Sequence, residues 1–416
     1  MDVETSPASS TAGCDTKTET APAPHPRRRC ILHVTGDYPN INKPLNTLAV
    51  KNFIDANPEA DHIIVTLDRT SLPWRARVTP GGGNGDSRMI SIRYWGLPFG
   101  VQLAASMYLV ARQTRRILQT RGEDFDVIHA HKLTFEGLAG YWLSLWFEKP
   151  LVCSLRGEVE SKVLAVKPHY RFLYRRVVER SSRLYYVSAW YRPTLQKAFQ
   201  PSQAKQRLLP NFVDLDGIEP HAASRPNAFV SVLCFEVYKR KGLDRLLPAF
   251  KRALEREPGI TLDLVGRGSP ERLAHIQSLI DKAGLGESVR LVGPLEHTEL
   301  LRRLGQYSGF VLPSRNETFG MSFIEALLAG VPIVYSKGCG VDGFVDGIEA
   351  AVPVDPRSVA SISDGIVRLA AHQRECRDWL LRNRDELIAR FGTKNHISLY
   401  NKDVFSICHE PHSSSG

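Results

Sequence analysis

The order of apolar runs constrains this chain more than any other feature. From residue 30 onward, short apolar stretches alternate with longer amphipathic ones, first at 30–35, then 47–56, then 62–67, and so on. Short apolar runs bounded by polar segments read as buried strands, and the intervening helical periodicity reads as amphipathic helix. Strict alternation of the two makes the strands parallel, because each helix carries the chain back across the sheet. Further strands are expected at 89–94, 127–130, 151–154 and 184–187, with a glycine-rich loop at 80–86. A second series runs through 229–234, 261–265, 289–292, 309–312 and 332–335. Between the two series, residues 209–227 hold Pro210, Pro220 and Pro226, the composition of a linker.

The chain of 416 residues exceeds the size at which one hydrophobic core stops growing, so two α/β domains are expected. The boundaries read as a flexible tail at 1–29, an N-terminal domain at 30–212, a linker at 213–227 and a C-terminal domain at 228–390. Residues 391–416 close the chain with a helix expected to pack back on the N-terminal domain. With 43% hydrophobic and 24% charged residues, the composition excludes wholesale disorder. The apolar runs at 101–111 and 135–147 fall short of the roughly 20 residues that a membrane-spanning helix needs.

Seven cysteines stand singly without metal-ligand spacing, which argues for a reducing compartment and no structural zinc. The formal charge of +10 suits nucleic acid, anionic lipid or phosphorylated small molecules, and no nucleic-acid-binding motif accompanies it. The densest basic stretch, 162–183, interleaves Lys167, Arg171, Arg175, Arg176 and Arg180 with Tyr170, Phe172, Leu173 and Tyr174. On one helix these would form a basic, aromatic face suited to anionic headgroups, or simply a solvated face. The expected location is the cytoplasm, with the inner face of the plasma membrane as the second option.

The chemistry concentrates in the run ETFGMSFIEA, where Glu317 and Glu325 lie eight residues apart. It follows an expected strand and Pro313, and it leads into a helix that Gly330 and Pro332 end. A strand end followed by a helix N-terminus is where doubly wound sheets bind phosphates, through unpaired N–H groups and the helix dipole. Thr318, Phe319, Gly320, Met321 and Ser322 are placed to supply those donors. A carboxylate beside them suits sugar hydroxyls, so Glu317 is expected to orient a sugar and Glu325 a ribose.

The pattern P-S-x-x-E-x-F-G-x-x-x-x-E-A followed by A-G-x-P resembles the donor signature of glycosyltransferase family 4, the group 1 glycosyltransferases. The resemblance extends from about residue 30 to the C-terminal helix and implies a GT-B fold: two Rossmann-like domains with parallel sheets facing across a cleft. It further implies a nucleoside-diphosphate-sugar donor on the C-terminal domain, a sugar or lipid-linked sugar acceptor, retention of anomeric configuration, no metal and no cofactor. Polysaccharide or glycolipid synthesis in bacteria is the setting it suggests. Lys241 matches the family lysine that contacts the donor diphosphate. Gly266 and Gly268 in LVGRG let a nucleotide approach the backbone.

Departures from the pattern are specific. The loop after the first strand lacks the usual glycine pair and presents Asn46 at the start of a helix. The segment from Asp126 to His131 resembles the family strand end that opens on the cleft, which puts His131 on the acceptor side. Arg156 stands where many members carry histidine; it cannot act as a base at neutral pH but can hold an anion. Cys234, Phe235 and Glu236 replace a glycine–arginine pair, and Arg240 is expected to supply the missing cation. Gly338, Gly340 and Gly343 satisfy G-x-G-x-x-G, yet Gly347 follows too soon for a dinucleotide-binding helix. Two rival functions remain compatible with these residues: a sugar-nucleotide epimerase of similar architecture, and a silent nucleotide-sugar-binding protein.

Overall fold

The computed structural model describes residues 27–44, 46–81, 88–97, 101–166, 168–213, 218, 220 and 224–408. Most of the N-terminal tail, most of the glycine-rich loop, Lys167 and much of the linker lie outside the described residues.

The first sheet contains β1 (Cys30–Thr35), β2 (Asp61–Thr70), β3 (Arg77–Pro80), β4 (Met89–Trp95), β5 (Val127–Ala130), β6 (Leu151–Leu155), β7 (Ser181–Tyr186) and β8 (Gln206–Leu208). Their spatial order is β3-β4-β2-β1-β5-β6-β7-β8. All neighbours pair in parallel except β3, which folds back antiparallel on β4. Alternation along β1 explains the layering. Leu32 and Val34 face a core built with the helices Leu103–Arg121, Phe135–Trp146 and Arg171–Arg180. Ile31 faces the opposite side, where Phe53 of the helix Ala49–Asp55 and Tyr400 of the helix Thr393–Ile407 close the layer.

The second sheet contains β9 (Ala228–Val232), β10 (Thr261–Val265), β11 (Val289–Gly293), β12 (Gly309–Leu312), β13 (Ile333–Ser336) and β14 (Ala351–Val354), in the order β11-β10-β9-β12-β13-β14. Every pair is parallel. Strand order reverses between β9 and β12, and the loops leaving those two strands therefore diverge to open a crevice. No helix follows the glycines Gly338, Gly340 and Gly343, which lie in a run of turns.

The last helix leaves the second domain and covers a face of the first sheet. Asn401 and Asn57 exchange two side-chain hydrogen bonds of 2.8 Å, and Asp403 accepts from Arg183 at 2.8 Å and from Tyr185 at 2.9 Å. The chain thus crosses between domains twice, and the crossings touch: Val213 and Gly392 form a parallel bridge, and the Thr393 hydroxyl donates to the Val213 carbonyl at 3.0 Å.

The basic stretch at 162–183 differs from its expected form. It is two helices, Glu158–Val166 and Arg171–Arg180, broken at Pro168 because proline cannot continue a helix through its own ring. Tyr170 and Tyr174 are buried, Arg180 donates to the Ser144 carbonyl at 3.0 Å, and Arg183 belongs to the Asp403 pair. The exposed residues of the second helix are Arg171, Phe172, Arg175, Arg176 and Glu179, with Arg176 4.5 Å from the Phe172 ring centre.

Candidate active site

Three loops meet at the switch point of the second sheet, and glycines let them meet. The loop after β9 carries Lys241 and turns at Gly242 with φ +79; a Cβ there would lie 2.0 Å from the Pro313 carbonyl oxygen. This backbone contact sets the β9 loop against the β12 loop, and the Arg315 N–H donates to the Arg240 carbonyl at 2.9 Å across the same seam. The loop after β10 does the same at Gly266, φ +153, where a Cβ would fall 1.7 Å from the Leu233 carbonyl oxygen. Gly268 packs its Cα side on Phe235, which is fully buried.

The seam brings together two predicted residues distant in sequence. The Lys241 ammonium and the Glu317 carboxylate form a salt bridge, each side chain 17% exposed. Ser314 lies 3.5 Å from the same carboxylate, and the Gly340 N–H donates to the Glu317 carbonyl at 3.0 Å. Gly340 thus belongs to the wall behind Glu317.

The helix that follows, Met321–Leu328, starts at Gly320, whose φ of +83 and 2.7 Å virtual Cβ contact with the Phe323 ring demand glycine. The backbone N–H groups of Thr318, Phe319, Gly320, Met321 and Ser322 donate to no backbone carbonyl among the described residues. They form a cluster of unspent donors beside the Lys241–Glu317 pair, reinforced by the positive end of the helix dipole. The Phe319 ring is buried edge-on to Phe344, so only its backbone is available to a ligand. Glu325 is buried rather than solvated, and its carboxylate lies 3.0 Å from His297 Nε2.

Arg240 does not join that pair. Its guanidinium crosses to the first domain and donates to Glu158 at 2.8 Å, where Lys162 at 3.1 Å and the Asn316 amide at 3.3 Å also converge. A second cross-domain contact runs the other way: the Thr318 carbonyl lies 2.6 Å from the Ser188 hydroxyl and 3.3 Å from the Trp190 indole nitrogen. Glu158, Ser188 and Trp190 escape sequence reasoning because no local spacing signals a contact made only when two domains face each other, and His297 because it meets Glu325 only through the packing of two separate helices of the second domain.

On the facing domain, the expected acceptor-side residues serve different ends. Asn46 donates to the carbonyls of Gly36 at 2.9 Å and Tyr38 at 3.1 Å, so it shapes the loop after β1. Behind that loop, Lys132 bridges Asp37 at 2.7 Å and Glu136 at 3.6 Å, and Glu136 accepts from the Gly36 N–H at 2.9 Å. Burial raises the Glu136 carboxyl above its ordinary value despite Lys132. Burial would raise Asp37 too, but Lys132 and Arg156 overcome it and hold that carboxyl below the usual range. Arg156 is buried, with its Nε donating to the His131 carbonyl at 3.2 Å, and it shares a small cavity with the His131 ring.

Two parallel α/β domains that face each other, with this loop constellation at the switch point of the second, define the class: a GT-B glycosyltransferase fold. Residues 222–385 match the group 1 glycosyl transferases and residues 56–216 match glycosyltransferase family 4. The chain belongs to this family and is a glycosyltransferase. It is 29% identical over 381 residues to glycogen synthase of Mycobacterium tuberculosis, a span covering 83% of this chain and 88% of that one. Its fold is similar to that of sucrose-phosphate synthase from Thermosynechococcus elongatus, with a TM-score of 0.68, 20% identity and coverage of 91% and 99% of the two chains. It is also similar to HepE of Anabaena, solved with UDP and glucose, at a TM-score of 0.65, 16% identity and coverage of 91% and 100%.

Proposed function

We propose that this glycosyltransferase moves a sugar from a nucleoside-diphosphate donor to a hydroxyl acceptor with retention of anomeric configuration. The observation that carries the reading is the Lys241–Glu317 pair beside the unspent N–H groups of residues 318–322. A cation and a helix N-terminus suit the diphosphate, on which charge develops as the glycosidic bond breaks. The carboxylate suits the hydroxyls of the transferred sugar, which are hydrogen-bond donors. Glu325, steadied by His297, is assigned to the ribose, and Gly266 and Gly268 to close passage of the nucleotide. The acceptor oxygen attacks the anomeric carbon from the face that the diphosphate leaves, and its proton passes to the departing phosphate oxygen. Bonds break and form on one face, so configuration is kept.

In this scheme Lys241 and the backbone donors meet the leaving-group charge without a divalent cation. Transfer measured with excess EDTA is therefore expected to stay within about twofold of the untreated rate; a loss of tenfold or more that magnesium or manganese restores would contradict the assignment. The donor nucleotide is identified by thermal shift with uridine, guanosine and adenosine diphosphates and their sugars, since a ligand that binds the folded state raises the midpoint. One nucleotide class is expected to stabilise the wild type and to lose most of that effect in Lys241→Ala.

The acceptor is proposed to be a sugar or lipid-linked sugar of cell-surface polysaccharide or glycolipid synthesis, met at the cytoplasmic membrane face. What supports this is the exposed group of Arg171, Phe172, Arg175 and Arg176, an apolar ring flanked by cations. Among the described residues no helix is long and apolar enough to cross a membrane. Flotation with phosphatidylglycerol vesicles is expected to carry the wild type and to release a Phe172→Ala, Arg175→Ala, Arg176→Ala triple variant. Failure of the wild type to float would remove the membrane part of the proposal and leave the transfer chemistry standing.

A further inference from the structure

A row of histidines crosses the first sheet, and parallel register accounts for it. His33 of β1 lies directly opposite His129 of β5, His62 sits at the start of the neighbouring strand β2, and His131 follows the end of β5. Side chains two residues apart on adjacent parallel strands share a face. The row therefore runs diagonally from the start of β2 towards the C-terminal end of the sheet. His33, His129 and His131 are buried and His62 is partly exposed.

Three nitrogens within 4.8 Å of one another suggest a cation site at His33, His129 and His131. The hydrogen bonds argue otherwise. His33 already uses Nδ1 toward His131 Nε2 at 3.0 Å and Nε2 toward His62 Nδ1 at 2.9 Å. His129 uses Nδ1 toward the Tyr400 hydroxyl and Nε2 toward the Ser154 hydroxyl, both at 2.8 Å. His129 and His131 are also stacked at 4.1 Å between ring centres.

The row has an anchor that sets its direction. His62 Nε2 lies 2.8 Å from the Asn57 carbonyl, which can only accept. His62 therefore carries its proton on Nε2 and offers a lone pair at Nδ1. His33 must donate from Nε2 and accept at Nδ1, so His131 must donate from Nε2. Burial, with the neighbouring imidazoles, holds His33 and His131 well below the ordinary histidine value, and burial lowers His62 as well, so each ring is neutral near pH 7. The structure assigns to His131 a fixed tautomer whose bare Nδ1 accepts a hydrogen bond from a sugar hydroxyl, with His33 and His62 as positioning residues that impose it. His131 lines a cavity just large enough for one hydroxyl or water, beside Ser154 and Arg156. The hydroxyl assignment rests on the proposed transferase reading; the tautomer does not. The C-terminal helix supports the anchor, since Asn401 holds the Asn57 side chain.

The test combines spectroscopy and binding on the full chain. Long-range proton–nitrogen correlation of 15N-histidine protein is expected to show His131 protonated at Nε2 and bare at Nδ1. His62→Gln keeps an acceptor opposite His33 Nε2 and is expected to preserve that state; His62→Leu removes it and is expected to leave both tautomers populated. In the same samples, at least one of the methyl α-glycosides of glucose, galactose and mannose is expected to shift the His131 Nδ1 resonance. Its affinity should fall about fivefold or more in His62→Leu and recover in His62→Gln, while nucleoside diphosphate binding stays unchanged. A proton on His131 Nδ1 in the wild type, or an unaltered tautomer in His62→Leu, overturns the row. A correct tautomer with no response to any glycoside overturns the hydroxyl assignment. Absence of sugar transfer by a protein with the predicted tautomer is failure of the transferase proposal alone.

Discussion

Lys241→Ala is expected to lower sugar transfer by about a hundred- to a thousandfold, the range seen when one preorganised group that meets developing charge is removed. Glu317→Ala is expected to fall as far, for a different reason. In the proposed scheme Lys241 acts on the leaving group, so its loss should weaken nucleoside diphosphate binding as well as turnover. In that scheme Glu317 meets the transferred sugar, so its loss should leave diphosphate binding near wild type and weaken only the nucleotide sugar. The two side chains are paired and only 17% exposed, so removing either leaves the other without its partner. Comparison of thermal midpoints is therefore part of the measurement, and Glu317→Gln, which keeps the shape without the charge, separates loss of the carboxylate from loss of packing. Near-wild-type turnover in both alanine variants would remove the pair from the chemistry.

Gly242→Ala is the second large effect expected, and it acts through the backbone. The added methyl would stand 2.0 Å from the Pro313 carbonyl oxygen, at a φ of +79 that residues with a Cβ rarely adopt. Strain and steric displacement together are expected to cost about 3 kcal/mol of stability. The cost should also register at the site, because the β9 and β12 loops carry Lys241 and Glu317. Gly259→Ala is the control: its φ of +89 is also positive, but a Cβ there meets nothing within 4 Å. Chemical denaturation should place Gly242→Ala clearly below Gly259→Ala; equal stabilities would show that the loops can part without cost.

The parts of this protein written in local sequence could be read directly. Gly309–Leu312, the loop after it and the helix Met321–Leu328 form one continuous strand-loop-helix unit, so spacing alone places Glu317 near a helix start. The strands that escaped notice are β3, β8 and β14, whose residues RVTP, QRL and AVPV include arginine, glutamine or proline and so lack the apolar run that marks the equally short β5, β12 and β13. Arg240 shows the limit from the other direction. Its place beside Lys241 suggested a shared role, but neighbouring residues on a turn point apart, and Glu158 of the other domain takes its guanidinium. The seam glycines, the Thr318 contacts with Ser188 and Trp190, and the histidine row all depend on which strands become neighbours. Pairwise spacing along the chain carries no such information; the register of β1, β2 and β5 does.

The Lys241–Glu317 site is proposed to break a nucleotide-sugar bond and to pass the sugar, configuration retained, to a hydroxyl. Proton magnetic resonance of the wild type with the nucleotide sugar that stabilises it, in the presence of the methyl glycoside panel, tests this most directly. Free nucleoside diphosphate is expected together with a new glycoside whose anomeric configuration matches that of the donor, and neither product with Lys241→Ala. An epimerised nucleotide sugar with no diphosphate released, or a product of inverted configuration, would contradict it.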